Sequence, residues 1–119
     1  MTRSNLIAIF VLLATIGVFG QNKKPPEKII ELLKLTSKIA TAKLTPIWNS
    51  HKCNDPREFY VINYGKPAEI RRRKRILMQT IGRRCDFDPF RITFVDGPNH
   101  AKPTTILWRT DPNGEKPIP

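Results

Sequence analysis

Residues 58–67, Glu58-Phe-Tyr-Val-Ile-Asn-Tyr-Gly65-Lys-Pro67, set the architecture expected of this chain. Their aromatic and β-branched side chains predict a strand over 58–64 that ends at Gly65. Pro67 suits the first turn of a helix, and apolar residues at helical spacing predict that this helix runs from 67 to about 84. Apolar residues on both sides of the strand indicate an inner strand that is covered, at least in part, on each face.

Two more strands are predicted downstream of this unit, over about 91–96 and 104–109, because both segments are rich in β-branched and aromatic residues. A strand, a helix and a second strand in succession form a crossover, so the strands 58–64 and 91–96 should run parallel in one sheet. The expected fold class is therefore α+β, a small mixed sheet with a βαββ core.

The segment before this core predicts one further helix, over about 27–41, that packs on the sheet. Six of its residues share one helical face, and Pro26 with Glu27 suits the first turn. They are Ile29, Leu32, Leu33, Thr36, Ile39 and Ala40. The stretch from Leu44 to Asn54 contains Pro46 and polar residues and predicts an irregular connection.

The chain begins with a signal for export. Residues 1–20 combine Arg3 with an apolar run and end in Gly20, the layout of a cleaved signal peptide. The run is shorter than the roughly 20 apolar residues of a membrane span, so no transmembrane segment is expected after cleavage. Residues 21–26 predict a flexible arm, 27–110 a single domain, and 111–119 a disordered Pro-rich tail. We expect the product to be periplasmic or extracellular.

The two cysteines, Cys53 and Cys85, predict one disulfide, because an exported protein meets an oxidising compartment. In a crossover unit the helix returns to the edge where its strand begins, which brings the two positions together. Metal-finger spacings are absent, and neither a metal nor another cofactor is expected.

A run of five cations, Arg71-Arg72-Arg73-Lys74-Arg75, dominates the charge pattern of a chain whose net charge is +11. One reading is a solvated helix face; the other is a binding surface for an anionic cell-wall or envelope polymer. Few acidic residues lie nearby in the sequence, which favours the binding surface. Export argues against a nucleic-acid partner.

Part of the chain resembles a known family. Four features resemble the second half of the outer-membrane protein A C-terminal-like (OmpA-like) domain. They are the strings Glu58–Gly65, Phe87–Gly97 and Ile106–Trp108, and the basic helix between the first two; the string Phe87–Gly97 has the core Asp88-Pro89-x-Arg91-Ile92. They are closer still to short bacterial exported proteins that resemble that half-domain. The resemblance covers roughly residues 57–110.

The resemblance implies a sheet with helices on it and a site for the peptide stem of peptidoglycan. In that family a loop Asp and a helix Arg hold the ligand. The loop Asp is missing here, because only Gly65-Lys66-Pro67 joins strand to helix, and the helix Arg is matched loosely to Arg73 or Lys74. The resemblance therefore supports the expected fold more strongly than the expected ligand site.

Other side chains allow alternatives. His51 and His100 permit a small secreted hydrolase such as a nuclease, although no partner residue lies at a telling spacing. Tyr60, Tyr64 and Trp108 either fill the core or line a binding face. A purely structural or interaction protein is the third possibility. We expect a non-enzymatic, exported binding module whose basic helix contacts an anionic envelope partner.

Overall fold

The computed structural model describes residues 23–81, 91–99 and 101–119, which form four strands and two helices. The elements in chain order are β1 (Glu27–Leu32), α1 (Ser37–Ser50), β2 (Glu58–Tyr64), α2 (Pro67–Thr80), β3 (Ile92–Asp96) and β4 (Thr104–Thr110). The strands make one mixed sheet in the order β1-β4-β2-β3. The α+β class and the three strands of the βαββ core are thereby confirmed.

The crossover is present as expected. Strand β2 pairs in parallel with β3, with Phe59 opposite Ile92 and Asn63 opposite Asp96. On its other side β2 pairs antiparallel with β4, which in turn pairs antiparallel with β1. The two central strands are thus β4 and β2, and the inner position predicted for β2 is confirmed.

The predicted helix over 27–41 is wrong in its first half. Residues 27–32 form β1, and the helix begins only at Ser37. Periodicity alone does not separate a short apolar run in a strand from one in a helix, and here pairing with β4 decides. Thr36 marks the true helix start, because its hydroxyl caps the helix by accepting the Ile39 N–H at 3.2 Å.

The irregular connection predicted over 44–54 is wrong over 44–50, since α1 continues through Pro46 to Ser50, whereas residues 51–54 are irregular as expected. A proline inside a helix removes one backbone hydrogen bond. The helix continues because Leu44 and Trp48, one turn apart, are both buried in the core. The indole of Trp48 also donates a hydrogen bond of 3.2 Å to the Thr80 hydroxyl at the end of α2.

Both helices contribute to a core on one face of the sheet. Phe59 and Val61 of β2, Leu107 of β4 and Leu77 of α2 are buried there together with Trp48. The rings of Trp48 and Phe59 meet edge to face, with centroids 5.1 Å apart, a favoured aromatic geometry. This layer fixes the rotation of α2 about its axis, and hence which of its cations reach solvent.

The described residues contain no helix with the length and hydropathy that crossing a membrane requires. The proposed signal peptide and the second half of the proposed disulfide, Cys85, lie outside the described residues. Cys53 lies in the turn after α1 and is not a free thiol, and its pairing with Cys85 stays a prediction.

Candidate functional site

Helix α2 distributes the five cations of the basic run over different faces. The helix turns by about 100° per residue, so five successive side chains cannot share one surface. Arg73 is buried, Arg72 is half-buried, and the other three cations are exposed. The run predicted as one binding surface is therefore two groups of residues with different surroundings.

Arg73 lies inside the protein, with only 2% of its surface exposed. Its Nη1 donates hydrogen bonds to the Leu32 carbonyl, at 3.2 Å, and to the Thr105 hydroxyl, at 3.0 Å. Its Nη2 donates to the Leu33 carbonyl. The guanidinium thus joins α2 to the C-terminal end of β1 and to β4, which makes it part of the fold.

This network continues across the sheet. The Thr105 hydroxyl, which accepts from Arg73, donates to the Asn63 side-chain carbonyl at 2.7 Å. Buried polar groups are stable in an apolar layer only when their hydrogen bonds are satisfied. The chain from Arg73 through Thr105 to Asn63 meets that condition and aligns β4 with β2 beneath the helix.

Glu69, the only acidic residue of α2, binds the two inner arginines, Arg72 and Arg73. Its carboxylate accepts from Arg72 at 2.7 Å and from Arg73 at 3.0 Å. The hydrogen bond from Arg72 is the main cause that lowers the pKa of Glu69 below its usual range. Arg72 also donates to the Leu35 carbonyl at 3.0 Å, so both arginines bind the segment that joins β1 to α1.

Three cations remain on the outer side of the helix: Arg71, Lys74 and Arg75, which we call the cation stripe. They stand at positions i, i+3 and i+4, so they lie together on one exposed face. None of them forms an ion pair with a carboxylate among the described residues. With Met78 and Gln79 they line a shallow surface depression.

The contacts of Lys74 show that the stripe lies on the side of α2 near β3. Its ammonium stands 5.4 Å from the centroid of the Phe94 ring on β3, within the range of a cation–π contact. Met78 is 55% exposed beside the stripe. The apolar side is rotated away from it because Arg73 occupies a core-facing position between Ile70 and Leu77.

Of the two positions matched loosely to the family's ligand-binding arginine, Lys74 is exposed, and Arg73 has all its terminal nitrogens engaged by protein groups. Arg73 donates to backbone carbonyls, a hydroxyl and Glu69, so its guanidinium is not directed at solvent. Gly65 adopts a φ of +126°, and a side chain there would come within 3.3 Å of the Pro103 backbone. The local geometry therefore gives the resemblance no support at the peptide-stem site, and the resemblance itself stays a prediction.

His51, one of the two candidate catalytic histidines, is buried. Its side chain is 4% exposed and its ring centroid lies 4.7 Å from that of Phe59. Nδ1 lies 3.6 Å from the Asp55 carboxylate, which is held in turn by Arg57 at 2.6 Å. Burial lowers the pKa of His51. The enclosed imidazole packs against the Phe59 ring. His100 lies outside the described residues.

The three candidate aromatic residues lie on the sheet face opposite the helices. Tyr60 and Trp108 are direct neighbours across β2 and β4, and both are half-buried. Tyr64 covers Gly97, where a Cβ atom would come within 2.4 Å of the ring. The structure thus brings Tyr60 and Trp108 together, on the other side of the sheet from α2.

No group of three or more potential metal ligands gathers within the described part of the chain. The buried network around Arg73 was not foreseen, yet Glu69 stands four residues before Arg73, a spacing typical of helical ion pairs. In comparisons with known proteins, no family model, curated protein or solved structure matches this chain.

Proposed function

We propose that this protein is an exported, non-enzymatic binding module that attaches to an anionic polymer of the cell envelope or cell wall through the cation stripe. The observation that carries this proposal is the division of charge on α2. The single carboxylate of the helix serves Arg72 and Arg73, which leaves Arg71, Lys74 and Arg75 exposed and without a carboxylate partner among the described residues.

The stripe is suited to a repeating anion more than to one small ligand. Its cations follow one exposed face over little more than one helical turn, and the depression they line is shallow. Such a surface gains affinity from the summed attraction of several charges, which salt screens. The +11 net charge of the chain adds long-range attraction towards the same partner.

A binding role agrees better than a hydrolytic one with the surroundings of His51. A general acid or base has to reach its substrate within hydrogen-bond distance. The His51 side chain is enclosed by Phe59 and by the pair of Asp55 and Arg57. We therefore base the proposal on the stripe and assign no catalytic residue.

The test is co-sedimentation of the purified protein with isolated cell-wall fragments over a series of salt concentrations, with inorganic polyphosphate as a soluble polyanion. We expect binding that weakens steadily as salt rises. Replacing the stripe (Arg71→Gln, Lys74→Gln, Arg75→Gln) should lower the affinity roughly a hundredfold, taking about 1 kcal/mol for each cation at an anionic surface.

A matched control removes the same charge elsewhere. Lys23, Lys52 and Lys102 are exposed and lie outside α2, so their replacement by Gln tests net charge alone. We expect this variant to retain most of the binding. Equal losses in both variants would show that only total charge matters, and unchanged binding by the stripe variant would exclude this surface.

A further inference from the structure

The sheet has a second face, opposite the helices, that carries a cluster of aromatic and apolar side chains. Tyr60 lies beside Trp108 and Ile62 beside Ile106 in the register of β2 and β4. Directly opposed residues of paired strands share a face, so these four form one continuous patch. Glu58 follows the same alternation along β2 and lies at the edge of the patch.

The C-terminal residues turn back onto this face. The sequence Asp111-Pro112-Asn113-Gly114 has the composition of a β-turn, and the Gly114 N–H donates to the Asp111 carbonyl at 2.9 Å. The next N–H, of Glu115, donates to the Lys24 carbonyl at 2.8 Å, which fastens the returning chain to the segment before β1.

The residues after this turn meet the patch directly. The ammonium of Lys116 lies 5.2 Å from the centroid of the Tyr60 ring and 3.7 Å from the carboxylate of Glu58. Pro117, the next residue, is buried, whereas Ile118 is 88% exposed. Lys116 thus lies over an aromatic ring and beside a carboxylate, and a buried proline follows it.

We propose that the face formed by Glu58, Tyr60 and Trp108 is a recognition surface for extended peptide segments that contain a Lys-Pro pair, and that residues 115–119 are its intramolecular occupant. Aromatic surfaces bind proline-containing extended segments because such segments are already ordered before binding. Glu58 supplies the selectivity for a basic residue ahead of the proline.

The intramolecular occupant leaves one group on this face unsatisfied. The indole N–H of Trp108 is buried and has no hydrogen-bond acceptor among the described residues. A buried donor without an acceptor is costly, so a peptide that offers a carbonyl there gains an interaction that residues 115–119 do not make. A partner segment can therefore displace the protein's own C-terminal residues. This inference is independent of the cation stripe, which lies on α2 beyond the other face of the sheet.

The experiment uses the full chain with Lys116→Glu and Pro117→Gly, two changes that weaken the intramolecular occupant. The probe is the acetylated peptide Asn-Gly-Glu-Lys-Pro-Ile-Pro, which has the sequence of residues 113–119. Titration is followed by nitrogen–proton NMR spectra, in which the indole signal of Trp108 reports directly on the surface.

We expect saturable shifts of the Trp108 indole signal in the weakened variant, with an affinity at least about tenfold higher than in the wild-type chain, whose own segment competes at a high effective concentration. A probe with Glu-Gly in place of Lys-Pro should not bind, and adding Glu58→Gln to the weakened variant should reduce binding.

Three results would overturn the proposal. The first is the absence of saturable shifts in the weakened variant. The second is an identical Trp108 indole signal in the wild-type and weakened chains before any peptide is added, which would mean that residues 115–119 do not lie on this face. The third is a concentration-dependent dimer of the wild-type chain that disappears in the weakened variant, since the segment would then occupy a second copy.

Discussion

The buried guanidinium of Arg73 allows a quantitative test of how the basic run is divided. The substitution Arg73→Met retains most of the side-chain volume but removes every donor. The buried acceptors that lose their partner are the Leu32 carbonyl and one lone pair of the Thr105 hydroxyl. The Leu33 carbonyl belongs to an exposed residue and can be hydrated, and Glu69 retains Arg72.

The magnitude follows from these two acceptors. An unsatisfied buried polar group costs about 1–3 kcal/mol, so their combined cost is about 2–6 kcal/mol. Removing a buried charge recovers part of this, because its desolvation cost also disappears. We expect a net loss of about 3 kcal/mol in the free energy of unfolding, which lowers the melting temperature of a domain of this size by roughly 10–20 °C.

The assay is equilibrium denaturation of the oxidised protein, followed by the combined fluorescence of Trp48 in the core and Trp108 on the opposite face of the sheet. Arg75→Met on the exposed side of the same helix is the control, and it should change the unfolding free energy by no more than about 0.5 kcal/mol. Arg73→Met should nevertheless bind cell-wall fragments as the wild type does once folded. If Arg73→Met and Arg75→Met were equally stable, the guanidinium would not lie in the interior and the division of the run would be wrong.

Three further predictions concern stability. Burial lowers the pKa of His51, so as the pH falls through about 6.5 the unfolded chain takes up a proton before the folded chain does. The unfolding free energy should therefore drop there and level off below the pKa of the folded state. Denaturation curves of His51→Gln should show a flatter pH dependence. In Gly97→Ala a new Cβ collides with the Tyr64 ring, and thermal denaturation should show a loss of about 1–3 kcal/mol, whereas undiminished stability would place the ring elsewhere. Thr36→Ala removes the N-cap of α1 and should cost about 1 kcal/mol in urea titration, with Thr36→Ser largely restoring it.

The correct predictions relied on residues that lie within the predicted strand or helix itself. Strand β2 was predicted from 58 to 64 and spans Glu58–Tyr64, because its aromatic and β-branched residues and the glycine after it are local features. The helix over 27–41 failed because β1 depends on β4, a partner almost 80 residues away.

The candidate site could be predicted only in part, for a similar reason. A run of basic residues is ordinarily solvated, and the only local sign that separates Arg73 from Arg71 and Arg75 is Glu69 four residues before it. The distinction arises from the end of β1, where carbonyls of Leu32 and Leu33 face the helix and require donors. Residues some 40 positions apart create this requirement, so the sequence pattern of α2 alone does not contain it.

The two roles of the basic run depend on each other through the single carboxylate of α2. Because Glu69 binds Arg72 and Arg73, it offsets the inner charges, and no carboxylate of α2 opposes the outer ones. A helix whose carboxylate faced the stripe would bind an anionic polymer less well and would leave a buried arginine without its counter-charge. Replacing Glu69 by Gln therefore separates the two effects: it should destabilise the fold, while binding of the folded fraction to a polyanion stays the same or increases slightly. A loss of polyanion binding by the folded variant would instead show that the stripe depends on Glu69 and that the two groups of cations are not independent.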